Sequence, residues 1–108
     1  MIYEYRVYEA VAGRLPDLHR RFEDHTLRLF ERHGFRVVGL FTWELGEPSD
    51  QLVYILAFDD LAHRERSWAA FSADPEWQAA KTNSELNGPL VARIRSSILK
   101  PTAYSPEP

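Results

Sequence analysis

Phe35 to Phe58 reads FRVVGLFTWELGEPSDQLVYILAF. Two runs rich in β-branched and aromatic residues, 35–45 and 51–58, flank the turn-forming Gly46-Glu47-Pro48-Ser49-Asp50, so the stretch predicts a hairpin with a longer loop. Both strands are apolar on both faces. Phe35, Val37, Phe41 and Trp43 alternate with Val38 and Leu40; Leu52, Tyr54, Leu56 and Phe58 alternate with Val53, Ile55 and Ala57. A sheet packed on one side alone would alternate apolar with polar residues. This hairpin therefore belongs to a sheet that needs cover on both faces.

Working outward, Ile2 to Glu9 has period two and reads as a strand, with Tyr3, Tyr5 and Val7 on one face and Ile2, Glu4, Arg6 and Tyr8 on the other. A helix follows over about 14–33, with Pro16 tolerated in its first turn and Gly34 closing it. After the hairpin, Asp59 or Asp60 caps a helix over about 60–73. Asp74-Pro75 breaks it, a helical segment runs over 75–86, and a strand follows over 90–99. Residues 100–108, with three prolines, form a tail. The order βαββαβ predicts one α+β domain over 1–108: a ferredoxin-like, four-stranded antiparallel sheet with helices on one face. The second face, with Ile94 and Ile98 opposite Val91 and Leu99 in the last strand, is expected to meet a second copy as a two-fold homodimer, sheet against sheet. The alternative cover is the C-terminal tail.

Composition narrows the function classes. Apolar residues make up 44% of the 108, charged residues 27%, and the net charge is −3. Nothing in that balance invites nucleic acid, and no apolar run is long enough to span a membrane. The start MIYEYRVYEA lacks the pattern of a signal or transit peptide. Absence of cysteine excludes disulfides, thiolate metal sites and a thiol nucleophile, and suits a reducing cytoplasm. No Gly-rich phosphate loop and no G-x-S-x-G elbow occurs, so no cofactor is expected. His19 and Glu23, four apart, are too little for a metal site.

At about 100° per residue, Leu15, Leu18, Phe22 and Leu29 share one sector of the first helix, and His25 falls within it. His25 is then either a core imidazole or the group that orients a ligand and moves a proton. In the second helix Leu61, Trp68 and Phe71 form the stripe with Arg64 between them, either snorkelling to solvent or meeting an anionic ligand group. Trp43, Trp77, Tyr3, Tyr5, Tyr8 and Tyr54 give a surplus of aromatic surface, either core or interface or the walls of an apolar pocket between helices and sheet, where Trp68 would join Trp43, Tyr3 and Tyr5.

Five stretches carry a family resemblance: YEYRVYEAVAGRLPDL, HTLRLFERHGFRVVG, LVYILAFDD, SWAAFSADPEWQ and ILKPTAYSP. The Trp-x-x-Phe-x-x-Asp-Pro-Glu-Trp pattern from Trp68 to Trp77 is the most specific. In their order and spacing the chain resembles a single-domain, bacterial-type member of the NIPSNAP family. The resemblance implies a dimeric α+β barrel, an architecture whose relatives include cofactor-independent monooxygenases, haem-degrading proteins and decarboxylases. It supplies no agreed catalytic set. Three readings follow: a barrel binding a small apolar or aromatic ligand through Tyr3, Tyr5, His25, Trp43, Arg64 and Trp68; a cofactor-independent monooxygenase or isomerase with His25 as proton-transfer group; or a structural dimer without ligand.

Overall fold

The computed structural model describes residues 1–46 and 48–106. It contains β1 (Ile2–Ala10), α1 (Leu15–Arg21), α2 (Leu27–Arg32), β2 (Arg36–Phe41), β3 (Gln51–Phe58), α3 (Leu61–Ala73), α4 (Pro75–Ser84) and β4 (Val91–Leu99). The strands form one antiparallel sheet in the order β2-β3-β1-β4. This is the βαββαβ arrangement the sequence predicts. Glu47 of the expected hairpin turn and the last two residues of the tail lie outside the described residues.

Three local irregularities change which way side chains face. First, α1 and α2 form one helical rod interrupted by a π-helical turn over Phe22–Thr26, where the Leu27 N–H reaches back to the Phe22 carbonyl. A π turn holds one residue more than an α turn. Leu18 and Phe22 stay buried, but the stripe then resumes at Thr26, Leu29 and Phe30. His25 is rotated out of the sector that uniform helical periodicity assigns to it. Second, the β2–β3 register slips between Val37 and Gly39. Val37 and Leu40 pack on the core, whereas Phe41 is exposed. The expected single face of Phe35, Val37, Phe41 and Trp43 is therefore split, and Trp43 lies in the loop beyond a strand that ends at Phe41 rather than at Leu45. Third, a slip between Glu9 and Ala10 lets Val91 pack against the core instead of sharing the face of Leu99. Each slip is a β-bulge, which reverses the alternation beyond it.

Gly34 takes φ 81°, the left-handed value that glycine adopts readily at a helix end. Asp60 caps α3 by accepting from the His63 N–H. The Asp74-Pro75 break serves both helices. Asp74 Oδ1 caps α4 through the Glu76 N–H at 2.8 Å, while Oδ2 receives His33 Nε2 at 2.7 Å and Arg32 Nη1 at 3.1 Å. These partners, His33 foremost, then the Glu76 N–H and Arg32, lower the Asp74 pKa to about 2. The break is thus a joint tying α4 to the end of α2.

The core sits between helices and sheet. Tyr54, Leu56 and Phe58 of β3 lie beneath Leu18, Leu29, Phe30 and Phe71. Phe30 stacks on Phe35 at 4.5 Å, and Trp68 meets Phe35 edge-on at 4.8 Å. The helices do not reach the last strand: Ile94, Ser96 and Ile98, opposite Tyr8, Arg6 and Glu4, are exposed on the inner face of β4. On the opposite face Val38, Phe41, Trp43 and Leu99 are exposed. There the tail residues Pro101, Ser105 and Pro106 share a hollow of about 250 Å³ with Tyr3, Val38, Ile55 and Leu99. No helix is long and apolar enough to cross a membrane among the described residues.

Candidate functional site

β1 brings charge to the inner face of the sheet. Glu4, Arg6 and Tyr8 sit opposite Leu56, Tyr54 and Leu52 of β3, beneath the helices. The Glu4 side chain is fully buried. Its Oε1 receives Arg64 Nε at 2.9 Å and Trp68 Nε1 at 2.8 Å. Its Oε2 receives Arg6 Nη1 at 2.8 Å, Arg64 Nη2 at 3.2 Å and Ser96 Oγ at 2.6 Å. Burial alone would raise the carboxyl's pKa, but the hydrogen bonds from Arg64, Ser96, Trp68 and Arg6 outweigh it and lower it to about 2. Glu4 is a carboxylate at neutral pH, with its acceptor capacity filled.

Arg6 extends the cluster. Its Nε donates to Tyr54 Oη at 2.7 Å and its Nη2 to Tyr8 Oη at 3.1 Å. The two hydroxyls are joined at 2.8 Å. The Trp68 ring covers the guanidinium at 4.4 Å, a cation–π contact. Burial tends to lower the Arg6 pKa, but its tyrosine and glutamate partners hold it above the ordinary value. Burial, with Tyr8 beside it, pushes the Tyr54 phenol well up. Each hydroxyl accepts from Arg6, and one hydroxyl proton is used between the tyrosines. The second, on Tyr8, has no acceptor among the described residues.

A parallel arrangement stands on the other side of the tyrosines. Arg21, last residue of α1, has a side chain only 5% exposed. The Trp77 ring covers its guanidinium at 5.2 Å. Nη1 donates to Ser84 Oγ at 3.2 Å and faces Glu85 Oε2 at 3.6 Å. Nε is buried with no hydrogen-bond partner. Burial lowers the Arg21 pKa against the opposing effects of Glu85, Tyr8 and Tyr54.

The six residues singled out in the sequence therefore do not form one pocket. Arg64 and Trp68 belong to the Glu4 cluster; Arg64 is occupied by that buried carboxylate rather than free toward solvent. Tyr3 and Tyr5 lie on the outer face of the sheet. Trp43 lies there too, its Nε1 donating to Gln51 Oε1 at 2.9 Å, in a hollow shared with Tyr5, Val7 and Arg95. His25, turned by the π-helical turn, lines a groove between α1 and α4 with Arg14, Arg21, Asn83 and Ser84. His19 and Glu23 share a different hollow with Phe41 and Leu52, and no group of three or more metal-binding side chains occurs among the described residues. Glu4, Arg6 and Arg21 were not singled out by sequence, whereas Tyr8 and Tyr54 were among the aromatic candidates for core or pocket wall. No local signal marks Glu4 and Arg6, because their placement against the apolar inner face of β3 depends on strand register.

A model of the family described as NIPSNAP matches residues 3–106. Solved structures of similar chains include a NIPSNAP domain protein from Burkholderia xenovorans, 28% identical, covering 99% of this chain and 100% of that one with a TM-score of 0.84. A NIPSNAP family protein of unknown function from Agrobacterium tumefaciens is 31% identical, covering 98% and 92% with a TM-score of 0.84. SnoaB, a cofactor-independent oxygenase from Streptomyces nogalater, is 15% identical, covering 98% and 97% with a TM-score of 0.64, which establishes a shared fold. None of the curated proteins matches the chain significantly.

Proposed function

The chain belongs to the NIPSNAP family, and from that premise we propose that it binds a small apolar or aromatic molecule between the helix layer and the inner face of the sheet. The observation behind this reading is the polar cluster of Glu4, Arg6, Tyr8, Tyr54, Arg64 and Trp68 set where apolar packing would serve stability. Replacing buried ion pairs by apolar side chains is often neutral or stabilising. A fold keeping two arginines, a carboxylate and two phenols on its core face supports a recognition role. The ligand would lie against the uncovered shelf of Ser96, Ile94 and Ile98, reaching the Tyr8 hydroxyl and the Trp68 edge. In this reading Trp68 serves as a wall, Arg64 is held by Glu4 rather than meeting an acid group of the ligand, and Tyr3, Tyr5 and Trp43 face the other side.

The test is a thermal-shift and tryptophan-fluorescence screen of aromatic acids, phenols and fused-ring ketones. Stabilising compounds should lose their effect in Ser96→Trp, which fills the shelf. A dry response to the whole panel would favour the structural-dimer reading.

The outer face supports the second part of the proposal, a homodimer formed sheet against sheet. Phe41 is 53% exposed and Val38 41% exposed, both on this face with Leu99 and Trp43. The tail covers only one end of it. Light scattering on the intact chain should give the mass of two copies, and Phe41→Glu should give one. A wild-type monomer across the micromolar range would remove the dimer.

A further inference from the structure

We propose that Arg21 is the anion-recognition residue of the ligand site, and that the molecule bound there carries a carboxylate. This rests on the small-molecule reading above and adds the chemical class. Among the described residues, Arg21 Nε is the buried side-chain polar atom without a hydrogen-bond partner. Leaving such a donor unpaired costs the full desolvation of the group. Nη1 is engaged by Ser84. Nε and Nη2 share the opposite edge of the planar guanidinium, the edge that grips a carboxylate through two parallel bonds. In Arg64 that same edge holds Glu4, with Nε on Oε1 and Nη2 on Oε2. In Arg21 it has no protein carboxylate.

The surroundings fit an incoming anion. The nearby acidic groups are largely committed elsewhere: Asp17 is paired with Arg14 and Arg20, and Glu85 receives Lys81 Nζ at 2.8 Å. Asp24 is exposed on the rim, where water and salt screen it. Trp77 fixes the guanidinium plane. Arg21 also forms part of the wall of the groove between α1 and α4, a space of about 370 Å³ reaching the surface. The Phe22–Thr26 π turn begins at the next residue, and the Arg21 carbonyl accepts from Thr26 Oγ1 at 3.3 Å, so the backbone that aims Arg21 is itself held.

The experiment compares benzoate with benzamide, the same ring without the charge, at matched ionic strength on the intact protein. Thermal shift and tryptophan fluorescence are read for wild type, Arg21→Met and Arg21→Lys. Benzoate should stabilise wild type more than benzamide does. Arg21→Met should melt at or above the wild-type temperature without ligand, because an unpaired buried donor is removed and Glu85 keeps Lys81. Benzoate should bind Arg21→Met at least about tenfold more weakly. Arg21→Lys, which keeps charge but not the fork, should be intermediate. Equal stabilisation by acid and amide, unchanged in Arg21→Met, would overturn the anion inference and leave the ligand reading standing. No response to either compound, or to the wider panel, would remove both. A large fall in the ligand-free melting temperature of Arg21→Met would assign Arg21 a structural role instead.

Discussion

Two arginines flank the Tyr8–Tyr54 pair, and each is covered by one tryptophan of the SWAAFSADPEWQ segment: Arg6 by Trp68, Arg21 by Trp77. On the Arg6 side the charges are matched. Glu4 receives four side chains from β1, α3 and β4, and its acceptor sites are filled. On the Arg21 side Glu85 stands at 3.6 Å from one nitrogen and Nε has no partner. The same residue pairing thus yields one arginine beside a saturated carboxylate and one whose Nε has no partner. The difference teaches that a buried arginine is read by its acceptors, not by its burial.

The comparison predicts the largest effect at Glu4. Glu4→Gln leaves two half-buried guanidinium groups without their anion and should cost about 3 kcal/mol in chemical denaturation. A loss under ~1 kcal/mol would mean that Glu4 does not tie β1, α3 and β4 together. Acidification should act through the same carboxylate. The Glu4 pKa lies near 2 when folded, against an ordinary 4.5. Its contribution, about 3 kcal/mol, is therefore complete above the ordinary value and lost as pH falls toward the folded one. Urea titrations from neutral pH down to about pH 2 should show this loss in wild type and a shallower one in Glu4→Gln.

Trp68→Phe removes an N–H to Glu4 and weakens the cation–π contact, and should cost about 1–3 kcal/mol. Trp77→Phe, which donates no hydrogen bond to the cluster, should cost less; a reversed order would undo the asymmetry. The smallest effect belongs to His25. His25→Ala, at the rim of the α1–α4 groove, should leave stability within about 0.5 kcal/mol. A change as large as that of Trp68→Phe would return His25 to the interior role that uniform helical periodicity assigns it.

Much of the fold was legible because alternation and helix punctuation are local. Strand 51–58 is found as read, and the Asp74-Pro75 break stands where its residue types put it. The faces were legible only as far as the period stayed uniform. One extra residue in the Phe22–Thr26 turn moved His25 out and Thr26 in. One bulge at Val37–Gly39 separated Phe41 from Val37. Neither leaves a distinctive mark in composition. The site was less legible still, since Glu4 meets Arg64 and Ser96 across 60 and 92 residues of chain.

The sequence by itself determined the order of the elements, their number, the family and the surplus of apolar sheet surface, because each depends on neighbours along the chain. The tertiary structure decided which face of β1 turns inward, which arginine finds a carboxylate and which does not. Those outcomes depend on strand register and on where helix phase slips, and both are set by packing between segments far apart in sequence.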